Sequence, residues 1–192
     1  MNIDIIVIGS DGVGKTSLLI SYYTNEFPVE YIPTILDPIT LNLNHCGHPF
    51  NITCRDTPLE NNCTWSNFGG YLVRQGKVYN NNTDIFLVCY SCVDPASYDA
   101  VTSLYMIELE SYIGHGTPQP MVFLVATKQD LIEFCDAPPV TVSQGRALAK
   151  RIDAIFFECS ALTFKGVRDI FDSAQNYVYK RQFKRRKSCY LM

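Results

Sequence analysis

Gly9-Ser10-Asp11-Gly12-Val13-Gly14-Lys15-Thr16 decides how the rest of the chain is read. It matches G-x-x-x-x-G-K-[ST] in full. An apolar run, Ile3–Ile8, precedes it, and Leu18, Leu19, Tyr22 and Tyr23 follow at helical spacing. A strand that opens through glycines onto a helix leaves backbone N–H groups and a helix N-terminus facing one point, which suits phosphate. Lys15 would add a point charge there, and the Thr16 hydroxyl a ligand for Mg²⁺. A plain Gly-rich turn has no need of Lys-Thr at the helix start. A chance match in a chain this long is expected on the order of once per hundred sequences.

Outward from that loop, strands alternate with helices. Ile39, Leu41 and Leu43 alternate with polar residues, as do Phe50, Ile52 and Cys54, and His45-Cys46-Gly47-His48 reads as the turn between them. Ile85–Tyr90, Met121–Ala126 and Ile155–Cys159 are short apolar runs of the buried-strand kind. Helical stretches are expected over Ser97–Ile113, Ser143–Ile152 and Val167–Phe183, the first opened by Asp94-Pro95. The order implies an α/β fold with a mostly parallel sheet covered on both faces. Cys89 and Cys92 have C-x-x-C spacing without a second pair, so they read as core. His45, Cys46 and His48 read as a hairpin turn rather than a metal site.

The chain has 192 residues, 47% of them hydrophobic and 18% charged, enough apolar material for one domain with a core. Its net charge of −3 argues against a nucleic-acid binder. The average conceals an asymmetry. Lys180, Arg181, Lys184, Arg185, Arg186 and Lys187 follow the last acid, Asp172, so the remainder holds 19 acids against 10 bases. Such a basic tail suits an anionic membrane surface. No secretory signal is visible in the sequence, so the eight cysteines are expected to be reduced thiols and the compartment cytosolic.

Five further segments now bear on the reading: Phe27-Pro28-Val29-Glu30-Tyr31-Ile32-Pro33-Thr34, Asp56-Thr57, Thr127-Lys128-Gln129-Asp130, Cys159-Ser160-Ala161-Leu162 and the terminal Cys189-Tyr190-Leu191-Met192. With the phosphate loop, in this order, they make the chain resemble the Ras superfamily of small GTPases. Pro95-Ala96-Ser97-Tyr98 and Gln144-Gly145-Arg146-Ala147-Leu148-Ala149 resemble its Rho/Rac branch. The resemblance implies the P-loop small G-protein fold, with a six-stranded, mostly parallel sheet, one antiparallel strand and helices on both faces. It also implies GTP or GDP with Mg²⁺ as cofactors.

By that resemblance the nucleotide would be held by Gly9, Ser10, Asp11, Gly12, Val13, Gly14, Lys15, Thr16 and Ser17, with Phe27 and Tyr31 beside it. Asp130 would accept hydrogen bonds from guanine, Lys128 would lie along the base, Thr127 would join them, and Ser160-Ala161 would meet the guanine oxygen. Thr16 and Thr34 would ligate Mg²⁺, with Asp56 acting through water. Tyr31, Ile32, Pro33, Thr34, Ile35, Leu36, Asp37, Pro38 and Ile39 would form the effector region.

The departures from the family pattern converge on hydrolysis. Asp11 stands where the family has a small Gly beside the γ-phosphate, and its carboxylate adds negative charge where negative charge develops. Pro58-Leu59-Glu60 stands for Ala-Gly-Gln. Pro58 has no N–H, Leu59 lacks glycine's range, and an ionised Glu60 only accepts hydrogen bonds. No catalytic residue of the family is intact, and turnover is expected to be weak or absent. The stretch between Asp56 and Asp84 is also longer than the family's, so its register is open, and Trp65, Tyr71 and Tyr79 read equally as docking surface or as cover. Asp37 keeps the Rac effector pattern while its two aromatic anchors are missing, which puts the usual effectors in doubt. Arg55 stands for the usual Trp before Asp56, and the Rho-type helical insert after Asp130 is shortened.

The expected organisation is a GTPase domain over residues 1–179 and a basic, prenylated tail over 180–192. Cys189-Tyr190-Leu191-Met192 fits C-a-a-X, which implies a lipid on Cys189, removal of the last three residues and methylation. A single lipid binds marginally, and the basic run supplies the second signal. The expected protein is thus a monomeric, mostly GTP-bound switch of Rac type on the cytoplasmic face of the plasma membrane, with a cytosolic pool. Its family implies actin-type signalling, and its partners would be effectors, exchange factors and a prenyl-binding chaperone. A normally cycling GTPase and a nucleotide-free scaffold stand as alternatives. Copurification of GTP, GDP or neither separates the three.

Overall fold

The structure is a computed structural model that describes residues 1–30, 38–45, 47–56, 66–68, 71–74, 77–80, 83–106, 109 and 119–189. The effector residues Tyr31–Asp37, the Thr57–Glu60 segment and Tyr190–Met192 lie outside the described residues.

Strand β1 (Asn2–Ile8) runs parallel to β3 (His48–Asp56) on one side and to β7 (Ile85–Ser91) on the other. The six-stranded sheet has the order β2-β3-β1-β7-β8-β9, with β8 at Met121–Thr127 and β9 at Ile155–Glu158. Only β2 (Ile39–His45) is antiparallel, because it reaches β3 through the short turn that pairs His45 with His48. Gly47 adopts φ +76° there, which few residues with a side chain accept. The expected fold class is therefore the observed one.

Alternation along β1 builds the two faces. Ile3, Ile5 and Val7 join the layer that α1 (Lys15–Thr24) and α4 (Val167–Cys189) cover, with Leu18, Phe171 and Val178. Ile6 and Ile8 point to the other face, against Val101, Tyr105 and Leu148. Each such side chain, fully buried, contributes about 1.5–3 kcal/mol of transfer free energy. A helix opens at Pro95 under the Asp94 cap, whose Oδ1 accepts from Ala96 N–H at 3.1 Å. The expected helix over Ser97–Ile113 is divided: α2 is Pro95–Ala100, and a π-helical turn occupies Val101–Tyr105. Met106 N–H donates to Val101 O, the i→i+5 bond of that wider turn. The turn sets Val101, Tyr105 and Met106 into the core, which periodicity alone did not foretell.

Helix α3 (Val142–Arg151) opens on a reciprocal cap. Gln144 N–H donates to Thr141 Oγ1 at 3.3 Å, and Thr141 N–H donates to Gln144 Oε1 at 2.8 Å. Gly145 permits its packing, since a Cβ there would lie 2.5 Å from Phe156 and from the Tyr90 hydroxyl. Helix α4 continues beyond the expected Phe183 to Cys189, through the basic run.

Sequence reading assigned no elements between Asp56 and Asp84. A separate three-stranded antiparallel sheet lies there: β4 (Ser66–Phe68), β5 (Tyr71–Arg74) and β6 (Lys77–Asn80). Gly69-Gly70 and Gln75-Gly76 separate these strands in sequence, and the first of these pairs between β-prone runs is a hairpin signal.

Asp4, the one charged residue of β1, is matched at the base of the sheet. Its carboxylate pairs with Arg55 of β3, and its N–H donates to Asp84 Oδ2 at 3.0 Å. Burial still holds the Asp4 carboxyl above its ordinary value, against the lowering effect of Arg55. Arg55 thus has an internal partner.

Candidate functional site

The loop between β1 and α1 is shaped by what a side chain would hit. A Cβ on Gly9 would lie 2.3 Å from Cys89 O, so only glycine fits that approach to β7. Gly14, at φ +98°, turns the chain into α1, and no side chain of α1 caps its N-terminus. No acid lies in the first turn either. The resulting positive end of the helix is available to an anion.

Lys15 is buried to 4% exposure and donates from Nζ to Gly9 O at 2.9 Å and to Ser10 O at 3.0 Å. Its cation therefore sits inside the loop it belongs to. Asp11 projects outward, 70% exposed, with Oδ1 at 4.0 Å from Lys15 Nζ. Thr16 Oγ1 donates to Asp56 Oδ2 at 2.5 Å. Asp56 is 6% exposed at the end of β3, so β3 and α1 bring a hydroxyl and a carboxylate together. Hard oxygen donors of this kind fit Mg²⁺. Thr34, the other expected metal ligand, lies outside the described residues.

A cleft of about 330 Å³ opens over this loop, lined among others by Asp11, Gly14, Lys15, Thr16 and Phe27. A second, of about 190 Å³, is lined by Thr127, Asp130, Cys159 and Ala161. Gly14, Ser17, Phe27 and Lys128 line both, so the two clefts adjoin. A Cβ on Gly14 would lie 3.8 Å from Lys128 Cε, which places the lysine stem across the phosphate loop. Residues more than a hundred positions apart thus surround one continuous hollow, with charge at one end and an apolar slot at the other.

The slot is held from beneath. The Thr127 hydroxyl lies 2.6 Å from Val13 O and 2.9 Å from Tyr90 O, and its single proton serves these two carbonyls. Lys128 takes φ +60°, and its carbonyl accepts from Cys92 Sγ at 3.2 Å. Asp130 follows in the first turn of the 3-10 helix Gln129–Phe134. Ser160 is 1% exposed; its N–H donates to Lys165 O at 3.0 Å, and its Oγ accepts from Thr163 N–H at 3.1 Å. Burial pushes the Cys159 thiol well above its ordinary value, so it lines the slot as an uncharged wall. Cys89 and Cys92 are both fully buried, as their core reading requires.

Of the expected site residues, Asp11, Gly12, Gly14, Lys15, Thr16, Ser17 and Phe27 line the first cleft, and Thr127, Lys128, Asp130 and Ala161 the second. Gly9 and Ser10 support them by accepting from Lys15 and Val13 by accepting from Thr127, while Ser160 is buried next to Ala161 in sequence and bonded to Lys165 and Thr163. Pro38 and Ile39 lie at the start of β2, away from these residues in the chain. Tyr31 and Glu60 lie outside the described residues, and of Cys189 only the backbone, at the end of α4, is described. Leu131 and Leu162 form part of the slot although neither was assigned a role. Their position beside Asp130 and Ala161 was the available signal. A model of the Ras family matches residues 4–180 of the chain.

Proposed function

The chain belongs to the Ras family of small GTP-binding proteins, and from that premise we propose that it is a Rho/Rac-type switch, tethered to membrane and held mostly in its GTP form. The observation that carries the reading is Asp11, whose carboxylate stands at the phosphate cleft 4.0 Å from Lys15 Nζ. Lys15 is the cation that a terminal phosphate would take, so Asp11 competes for it. The same carboxylate puts negative charge beside a group on which negative charge grows during hydrolysis. Mg²⁺, when bound, would neutralise phosphate charge; Thr16 would ligate it and Asp56, bonded to the Thr16 hydroxyl, would hold it through water.

Asp130 and Lys128 support guanine as the base. A carboxylate accepts two hydrogen bonds from the ring N–H and amino group of guanine, an arrangement that adenine lacks. The Rac assignment is supported by Pro95-Ala96-Ser97-Tyr98 and by the Gln144–Ala149 segment. The tether is supported by the C-a-a-X pattern of Cys189-Tyr190-Leu191-Met192 together with the basic run before it. Slow turnover also draws on Pro58, which has no N–H, on Leu59, which lacks glycine's conformational range, and on Glu60, which when ionised cannot donate a hydrogen bond from its side chain as the family's Gln does.

Chromatography of the nucleotide that copurifies with the protein tests this. GTP is expected. GDP overturns the GTP-held reading in favour of a cycling GTPase, and an adenine nucleotide overturns the base assignment.

A further inference from the structure

Tyr105 closes the π-helical turn after α2 and is 1% exposed, yet its hydroxyl meets a residue of the phosphate loop. The phenolic oxygen lies 3.2 Å from Ser10 Oγ, across ninety-five positions of chain. Ser10 stands between Gly9, which is pressed onto Cys89 O, and Asp11, which faces the cleft. Its carbonyl accepts from Lys15 Nζ at 3.0 Å. One residue therefore carries the hydroxyl that Tyr105 reaches, the carbonyl that orients the lysine, and the peptide bond that leads to Asp11.

The turn that delivers Tyr105 is itself unusual. The bond from Met106 N–H to Val101 O widens the helix by one residue, and Val101 and Tyr105 both enter the core. Turns of this kind recur at functional sites because they re-aim single side chains. A hydroxyl at the end of a buried ring needs a partner, and Ser10 provides one at the loop.

We propose that Tyr105 is a positioning residue for the phosphate loop. Through the Ser10 hydroxyl it fixes the Ser10–Asp11 peptide, and with it the direction of Lys15, so that it sets how long a guanine nucleotide stays bound. The inference rests on the reading of the loop as a nucleotide site. It adds a residue outside every family motif quoted above, on a turn that the sequence did not reveal.

Release of a fluorescent GDP analogue in Mg²⁺ buffer tests it, with the full chain as wild type, Tyr105→Phe, Ser10→Ala and the double variant. Tyr105→Phe keeps the ring and its packing and removes only the hydroxyl. Each single variant is expected to release nucleotide roughly 2- to 10-fold faster, the span that one net hydrogen bond covers. The double variant should be no faster than the faster single, since both remove the same bond. Melting midpoints of the four proteins are read alongside: a purely structural role would shift midpoints and leave release rates uncoupled. Unchanged rates in the singles, or a double variant equal to the product of the singles, overturns the role of Tyr105. A wild-type chain that fails to bind the analogue overturns the nucleotide reading instead.

Discussion

The Arg181 guanidinium pairs with the Asp84 carboxylate, which ties the far half of helix α4 to the start of β7. Asp84 also accepts from Asp4 N–H, and Asp4 pairs with Arg55, so four charged residues run in a chain beneath the sheet. Arg181 and Asp84 are 19% and 13% exposed, which puts the pair between the surface and fully buried cases. Arg181 had been counted among the tail cations that would face a membrane. Its guanidinium is held by the domain.

Replacing Arg181 by Gln should therefore lower folding stability by about 2 kcal/mol, less than the loss of a fully buried pair. Urea denaturation reads this. Binding of the lipidated protein to anionic vesicles should change little, whereas neutralising Lys184, Arg185, Arg186 and Lys187 together should weaken it. Equal losses of vesicle binding for both variants would show that Arg181 faces the lipid after all.

Thr127→Val removes the hydroxyl that serves Val13 O and Tyr90 O while keeping the side chain's shape. The expected loss is about 1–3 kcal/mol, the range for buried groups left unsatisfied. Guanine nucleotide affinity should fall with it, because Val13 lies within the phosphate loop. Thermal melting and titration with a fluorescent GDP analogue give the two readings, and a Thr127→Ser variant should recover most of both.

Single-turnover hydrolysis should be slow and insensitive to a Rho-type activating protein. Family activators supply roughly 10⁵-fold acceleration, most of which needs a small residue at the Asp11 position and a Gln at the Glu60 position. Asp11→Gly alone is expected to restore only part of it, since Pro58, Leu59 and Glu60 remain. Strong stimulation of the wild-type chain would refute the claim.

Burial pushes the thiols of Cys54 and Cys89 up from 9.0 to about 12. Both stay protonated at neutral pH, where the thiolate is the reactive form. The unfolded chain loses these protons near pH 9, the folded one near pH 12. Their contribution to stability is thus fully present below about pH 9 and is lost as pH rises through 12. Stability measured between pH 8 and 11 should fall over the upper part of that range. Cys54→Ala and Cys89→Ala together should flatten the slope, and a thiol reagent should label neither residue before unfolding.

Cys189→Ser should leave the protein soluble after cell fractionation, while the wild-type chain sediments with membrane. On the proposed reading a single lipid binds only marginally and the basic run supplies the second signal, so removing the lipid is expected to release the protein. Equal sedimentation of both forms would exclude lipidation as the anchor.

Sequence alone made the sheet and the phosphate loop legible because both are encoded locally. Apolar runs such as Ile85–Tyr90 report burial on two faces, and Gly-Lys-Thr after a strand reports a turn onto a helix. Asp130, Ser160 and Ala161 were reached through the family pattern, since nothing in their own spacing places them beside Gly14. The small sheet at 66–80 was missed although Gly69-Gly70 and Gly76 were in view, because no apolar stripe marked a core for it. What the tertiary structure alone decided is which distant residues pair between elements: Thr127 with Val13, Arg55 with Asp4, Arg181 with Asp84, Tyr105 with Ser10. These depend on strand register, such as Val7 beside both Asp56 and Leu87, and on one widened helical turn. Local propensity fixes dihedrals over a few residues. Which distant side chains meet is fixed by the packing of whole elements, where burial selects one register and leaves each buried polar group only the partners that register brings within reach.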